Sequence, residues 1–148
     1  MSSRLRVLLV VPDPALRLHL LDALRDHVEL LVPGPEEDVV RVARARAPDV
    51  ACLAATRGVL HLARSLQTDL RRLERIVLLG HGPGASPPPW PPAFPTPSAW
   101  VADPRAPGAV LQALEAAARG DGTWPHTSQK GLFARVWSRV RRATLERP

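Results

Sequence analysis

The chain has 148 residues, of which 45% are hydrophobic and 4% aromatic, and its net charge is +6. A chain of this length buries one sizeable core, so we expect one domain with appendages. The single cysteine, Cys52, excludes an intramolecular disulfide and a cysteine-rich zinc cluster, and it favours a reducing compartment. The first apolar run is too short for a signal peptide or a membrane span, which predicts a cytoplasmic protein with no transmembrane segment.

The regular pattern begins with a strand and a helix start. Arg6 to Val11 is a continuous aliphatic run, which is typical of a strand buried on both faces of a parallel sheet. Asp13 and Pro14 follow and predict a helix, with the aspartate as N-cap and the proline at the first helical position.

The same alternation continues along the chain. It predicts further strands at 28–32, 50–54, 76–79 and 100–102, and further helices that open at 34–37, run from 58 to 73 and run from 107 to 119. The helix that opens at 34–37 would carry acidic residues in its first turn. Strands and helices in this order predict an α/β domain with a doubly wound, five-stranded parallel sheet.

Residues 82–98 interrupt this pattern and are named here the proline-rich loop. Eight of the 17 prolines lie between Pro83 and Pro97, so no helix can form and a loop or polyproline II is expected. The loop contains Trp90 and Phe94, and Trp100 follows it. These rings either cover the sheet face that a missing helix leaves open, which we favour, or form a rigid surface for a partner, and both can hold.

The positive charge is concentrated in the C-terminal segment, residues 126–148. From Lys130 onward it has six basic residues and one acidic residue, which places +5 of the net +6 there. Apolar residues and arginines form two stripes at helical spacing, as in a basic amphipathic helix. Three interpretations stay open: packing on the parent domain, docking to a protein partner, or binding to an anionic membrane surface or nucleic acid.

Four passages resemble the receiver domain of bacterial response regulators, in the variety that precedes a LuxR-type DNA-binding domain. They read VLLVVPDPALR (7–17), RAPDVACL (46–53), IVLL (76–79) and WVADP (100–104). Their order and spacing resemble the family from about residue 4 to 125. The resemblance implies a flavodoxin-like, receiver-like domain over residues 1–125, whose fourth helix is replaced by the proline-rich loop, followed by an appended helix at 126–148.

The places that carry the family's chemistry are changed in this chain. The family has an acidic pair for Mg²⁺, a phosphoryl-accepting aspartate, a serine or threonine, and a lysine. The corresponding residues here are Val11, Pro12, Ala54, Gly80 and Asp103. Valine and proline offer Mg²⁺ no suitable oxygen ligand, and alanine has no atom to phosphorylate. Asp13 is the neighbouring acid and is better explained as an N-cap, so we expect no catalysis, metal or cofactor.

Other patterns are weaker indications. Gly80 to Ala85 imitates a dinucleotide-binding fingerprint, but no helix is predicted to follow and bind the phosphates. The five histidines lack metal-ligand spacing, and only His81 lies at the carboxyl end of a predicted strand. Both the cis and the trans isomer of the Asp103-Pro104 peptide bond are compatible with the sequence. Loss of the fourth helix predicts that the edge of the fourth strand needs cover from the loop or from another chain.

These observations predict a phosphorylation-independent pseudo-receiver that acts as a protein-interaction module in bacterial signalling or regulation. The candidate partner-binding residues are aromatic or basic and are Trp90, Phe94, Trp100, Phe133, Arg135, Trp137, Arg139 and Arg142. The alternative is a regulator that binds nucleic acid through the arginine-rich segment, although the helix that reads DNA in the family is not found before Pro148. The sequence does not decide whether an output domain was lost or whether the sequence is part of a longer chain. A homodimer is also compatible with it. An enzyme is the third possibility, because one fold hosts many chemistries.

Overall fold

Five parallel strands alternate with four helices in the computed structural model, which describes residues 4–70, 75–93, 95–106, 108–121 and 124. The strands are β1 (Arg6–Val10), β2 (Glu29–Leu31), β3 (Val50–Ala54), β4 (Ile76–Leu79) and β5 (Ala99–Val101). The helices are α1 (Pro14–Leu24), α2 (Val39–Arg46), α3 (Val59–Asp69) and α4 (Ala109–Ala118). The sheet order is β2-β1-β3-β4-β5, which is compatible with a flavodoxin-like fold. The predicted α/β class and parallel sheet are confirmed, whereas the predicted helix at 126–148 lies outside the described residues.

Both faces of the sheet are apolar, because alternate side chains of each strand enter different clusters. In β1, Val7 and Leu9 belong to one buried cluster and Leu8 belongs to the other. Strands β3 and β4 repeat this alternation. Helices α1 and α4 cover the first cluster, and α2 and α3 cover the second. The continuous aliphatic runs in the sequence therefore correspond to strands that lie between two layers of helices.

Helix α2 begins later than the sequence predicts, and the predicted opening at 34–37 is wrong. Glu37 accepts a hydrogen bond from the backbone N of Gly34 at 3.0 Å and closes a turn. Asp38 then caps the helix by accepting from the backbone N of Val40 at 3.0 Å. The first turn of α2 contains no acidic residue, because the acidic side chains form the turn and the cap that precede it.

The other helix predictions agree with the structure to within a few residues. Asp13 caps α1 by accepting from the backbone N of Ala15 at 3.1 Å, as predicted. Helix α3 ends at Asp69 rather than Leu73, because Leu70 has left the helical conformation. Helix α4 is followed by Gly120 at a φ of 80°, which is the position and conformation expected of a C′ glycine.

The proline-rich loop lies between β4 and β5, and its described residues include no helix or strand, as the prolines predict. The expectation that β4 would need cover at a sheet edge is wrong. Strand β4 pairs with β3 on one side and β5 on the other, so the sheet edges are β2 and β5.

The Asp103-Pro104 bond is trans. Among the described helices, none combines the length and the apolar character needed to cross a membrane.

Cys52 lies in β3 with no exposed surface, and burial raises the pKa of its thiol from 9.0 to about 12. Because the thiolate is the reactive form, we expect a disulfide reagent at about pH 8 to leave Cys52 unmodified in the folded protein and to label it fully in denaturant. The raised pKa also means that the folded state holds this proton more firmly. The stability that the protonated Cys52 thiol contributes to the folded state is complete below pH 9.0 and declines as the pH rises towards about 12.

The measurement is thiol labelling with and without urea, together with urea unfolding across this pH range. Cys52→Ala is the control, because it should lack the part of the alkaline destabilisation that comes from this thiol. Rapid labelling under native conditions would contradict the expectation, because it would require β3 to be accessible.

Candidate functional site

The carboxyl edge of the sheet brings together the positions that the sequence analysis singled out. Val11 and Pro12 follow β1, Ala54 ends β3, Gly80 follows β4, and Asp103 comes shortly after β5. Since all strands are parallel, their carboxyl ends meet at one edge, which is where ligands bind in open α/β sheets. The predicted grouping of these residues therefore follows from the strand order.

This edge offers mainly apolar and backbone groups. Val11 is buried and Ala54 is half-buried, and neither supplies a polar side-chain atom. Asp103 accepts a hydrogen bond from the backbone N of Arg105 at 3.1 Å, which closes a turn. Within the described part of the chain, no three His, Cys, Asp or Glu side chains are grouped so that they could hold a metal ion.

Asp13 is the other carboxylate at this edge, and both of its oxygens are engaged. Oδ1 caps α1 through the backbone N of Ala15, and Oδ2 lies 3.8 Å from Nη2 of Arg105. The pair with Arg105 is more than half exposed, so it contributes little to stability. Its position favours the predicted N-cap role over a role as a metal ligand.

Gly80 lies where the ends of β4 and β5 approach each other closely. A Cβ atom at this position would lie 2.5 Å from the carbonyl oxygen of Ala102 and 2.9 Å from Cζ2 of Trp100. The backbone N of Gly80 also donates to the carbonyl oxygen of Val101 at 2.7 Å, which holds the two segments together. This position therefore lacks a hydroxyl group and also the space for a side chain that would carry one.

Three tryptophans form a cluster on the α3 side of the sheet, named here the tryptophan cluster. The ring centroids of Trp90 and Trp124 are 5.9 Å apart, and those of Trp100 and Trp124 are 6.3 Å apart, both in edge-to-face geometry. Trp124 is buried, and Trp90 and Trp100 are half-buried against the same cluster as α3. The sequence analysis missed Trp124, although a tryptophan soon after the last predicted helix, in a chain with few aromatic residues, was an available signal.

Side-chain donors fix the proline-rich loop through one hydrogen bond within the loop and two that join it to α3 and β5. The carbonyl oxygen of Pro95 accepts from Nε1 of Trp90 at 2.9 Å and from Nε2 of Gln67 at 3.3 Å. Nε1 of Trp100 donates to the carbonyl oxygen of Ala85 at 3.3 Å. Trp90 and Trp100 thus cover the sheet where a helix is missing, which is the interpretation that the sequence analysis favours. Their role in partner binding stays a prediction.

A groove of about 700 Å³ lies between β5 and α4 and is named here the β5–α4 groove. Trp100 and Asp103 contribute to it, and alanines of α4, including Ala109, Ala113 and Ala116, form much of its wall. Among the described strands β5 is an edge of the sheet, so in this part of the chain no further strand pairs with its outer side. This surface therefore combines small apolar side chains with an available strand edge.

The remaining predicted residues fall into two groups. His81 is exposed at the carboxyl end of β4, and no helix follows the Gly80 to Ala85 passage among the described residues of the loop. The nucleotide interpretation therefore gains no support. The other predicted partner-binding residues lie outside the described part of the chain and are Phe94, Phe133, Arg135, Trp137, Arg139 and Arg142.

We expect Gly80→Ala to lower the free energy of unfolding by about 1–3 kcal/mol, because the added methyl group must displace the backbone of Ala102 or the ring of Trp100. Urea unfolding and the tryptophan emission spectrum measure the two consequences. Gly34→Ala is the matched control, since its added Cβ would meet only the flexible side chain of Glu37. Equal stability of the two variants would contradict the close approach at Gly80.

We expect Trp124→Ala to lower the free energy of unfolding by about 3–5 kcal/mol, because it leaves a cavity against Trp90 and Trp100. The proline-rich loop should then become susceptible to limited proteolysis. Trp124→Phe is the control, because it retains an aromatic ring in the cluster and should lose much less stability. A wild-type cleavage pattern in Trp124→Ala would show that the cluster does not hold the loop.

No family model matches the chain, and a search of the curated proteins finds no match. The features that bear on function are therefore those of the structure itself: the sheet order, the crowded position at Gly80 and the tryptophan cluster.

Proposed function

We propose that this chain is a phosphorylation-independent pseudo-receiver that serves as a protein-interaction module in bacterial signalling or regulation. The observation that carries the proposal is the carboxyl edge of the sheet, where Val11 and Ala54 supply no polar side-chain atom and Gly80 has no space for a side chain. The sheet order agrees with the resemblance seen in the sequence. A domain with this strand order and without the groups that accept phosphate is best explained as a binding module.

The partner surface in this proposal includes the β5–α4 groove, and Trp137 with its neighbouring arginines stays a predicted contact in the C-terminal segment. The backbone N of Trp124 donates to the carbonyl oxygen of Ser98 at 3.1 Å, directly before β5. Trp124 therefore lies near the start of the strand that lines the groove.

The second candidate function is nucleic-acid binding, and it rests on the net charge of +5 in the C-terminal segment. Phosphate contacts by arginine release counterions, so this mode of binding weakens steeply as salt rises. A protein interaction centred on a tryptophan buries apolar surface instead and tolerates salt better. Salt dependence therefore separates the two candidates.

The test is retention of partners from an extract of the source cells by the full-length chain, at low and at moderate salt. We expect a protein to be retained at both salt concentrations and to be lost with Trp137→Ala, because tryptophans often dominate the energetics of an interface. The matched variant Arg139→Ala/Arg142→Ala should reduce retention less. An acyl phosphate with Mg²⁺ should neither alter retention nor add a phosphoryl group to the chain.

Two outcomes would contradict the proposal. Nucleic acid that is washed off as salt rises, and that is lost with the double arginine variant rather than with Trp137→Ala, would favour the second candidate. A covalent phosphoryl group, or retention that requires Mg²⁺ and the acyl phosphate, would show that the chain still performs phosphoryl chemistry.

A further inference from the structure

Helix α1 carries leucines on more than the face that it buries. Leu16, Leu20 and Leu24 are buried against the sheet, but Leu21 is only half-buried and Leu18 is 66% exposed. A surface helix normally has polar residues opposite its buried stripe. Leu18 and Val32 are the exposed large hydrophobic residues among those that the structure describes, and Leu18 is the more exposed. This helix thus has a second apolar surface that the described residues leave exposed.

Leu18 borders a groove of about 800 Å³ between α1 and β2, named here the α1–β2 groove. Leu21, Val28 and Leu30 provide further apolar surface in it. The groove lies at the β2 edge of the sheet, which is opposite the β5 edge that contributes to the partner surface proposed above. An occupant of this groove would therefore not compete with that partner.

The charges around the α1–β2 groove are balanced. Arg4 and Arg25 stand against Asp22 and Glu29 in its lining, and Glu29 also forms a partly exposed ion pair with Arg6 at 3.3 Å. Asp22 and Arg25 are highly exposed, and their charged groups lie 3.6 Å apart at the end of α1. An exposed ion pair of this kind contributes little to stability, so either residue can exchange its partner for a residue of another chain. A membrane or a nucleic acid would favour an excess of basic residues, and a strongly charged partner would favour an excess of the opposite sign.

We propose that the α1–β2 groove is a self-association surface whose occupant is a second copy of this chain. In a two-fold contact, both copies present the same patch. The patch must therefore contain basic and acidic residues if the basic residues of one copy are to meet acidic residues of the other. The rim of this groove meets that condition with two arginines and two acids. Leu18 of each copy supplies the apolar centre of the contact.

The dimer formed in this way is expected to be weak. Helix α1 has 11 residues and is about 16 Å long, so the contact is small compared with a standard protein interface. Strand β2 has only three residues, too few for extensive edge-to-edge pairing, which leaves side chains as the main contacts. Small interfaces with few central anchors bind in the micromolar range.

The experiment is sedimentation velocity of the full-length chain from roughly 1 to 100 µM, a range that brackets micromolar association. The wild-type chain should pass from monomer to dimer across this range. Leu18→Asp should weaken dimerisation at least about tenfold, because it places a charge at the centre of the contact. His19→Asp is the matched control, since it adds the same charge to the next, exposed position of α1 and should dimerise like the wild type.

A charge-reversal pair tests the balanced rim. Asp22→Arg leaves three arginines against one acid and should weaken the dimer, because rims of like charge then meet. Asp22→Arg/Arg25→Asp returns the rim to two charges of each sign and should restore dimerisation. The exposure of Leu18 predicts that Leu18→Asp leaves the melting temperature unchanged. If the melting temperature falls, the two Asp22 variants decide whether the α1–β2 groove forms the dimer contact.

Two results would overturn the inference. The wild-type chain could remain monomeric over the whole concentration range, or a dimer could persist unchanged in Leu18→Asp and in Asp22→Arg. The inference does not depend on the proposed pseudo-receiver function, because sedimentation requires neither the partner nor the C-terminal residues that would bind it.

Discussion

Both faces of the parallel sheet must be covered, and the rest of the structure depends on this constraint. Alternate side chains such as Leu8 and Leu9 enter separate buried clusters, so either face would expose a continuous apolar surface if a layer were absent. Helices α1 and α4 supply one layer. On the other face, α2 and α3 leave the region over β4 and β5 to the proline-rich loop and the tryptophan cluster.

Proline and tryptophan suit this substitution for a helix because their hydrogen-bonding groups are complementary. A proline has no backbone N–H, so a proline-rich segment buries few donors but still presents carbonyl acceptors. The indole N–H groups of Trp90 and Trp100 donate to carbonyl oxygens of the loop at Pro95 and Ala85. The rings meanwhile bury large apolar surfaces against Trp124 and the sheet. An irregular segment can thereby cover an apolar face without many unpaired polar groups.

The carboxyl edge of the sheet shows that strand order and the chemistry of a site are separate properties. Strand order alone brings the loop residues together, but binding or catalysis requires particular side chains at those places. Here Gly80 allows the ends of β4 and β5 to approach, and Asp13 and Asp103 are engaged in a helix cap and a turn. Two of the grooves in the described part of the chain lie at opposite sheet edges, and they differ in character. The β5–α4 groove is lined by alanines together with polar residues such as Gln112, Glu115 and Arg119, whereas the α1–β2 groove has a leucine centre and a rim of balanced charge.

The sequence by itself determined the features that depend on residues near one another along the chain. The aliphatic runs identified the parallel strands, Asp13 and Pro14 identified the start of α1, Gly120 identified the end of α4, and the prolines excluded a helix at 82–98. Only the tertiary structure decided which residues from distant segments meet. It showed Trp124 against Trp90, the clash that a Cβ at Gly80 would cause with Ala102, and the exposure of Leu18 on a helix whose other leucines are buried. Local patterns cannot specify these features, because each depends on how the sheet and its connections are packed in three dimensions.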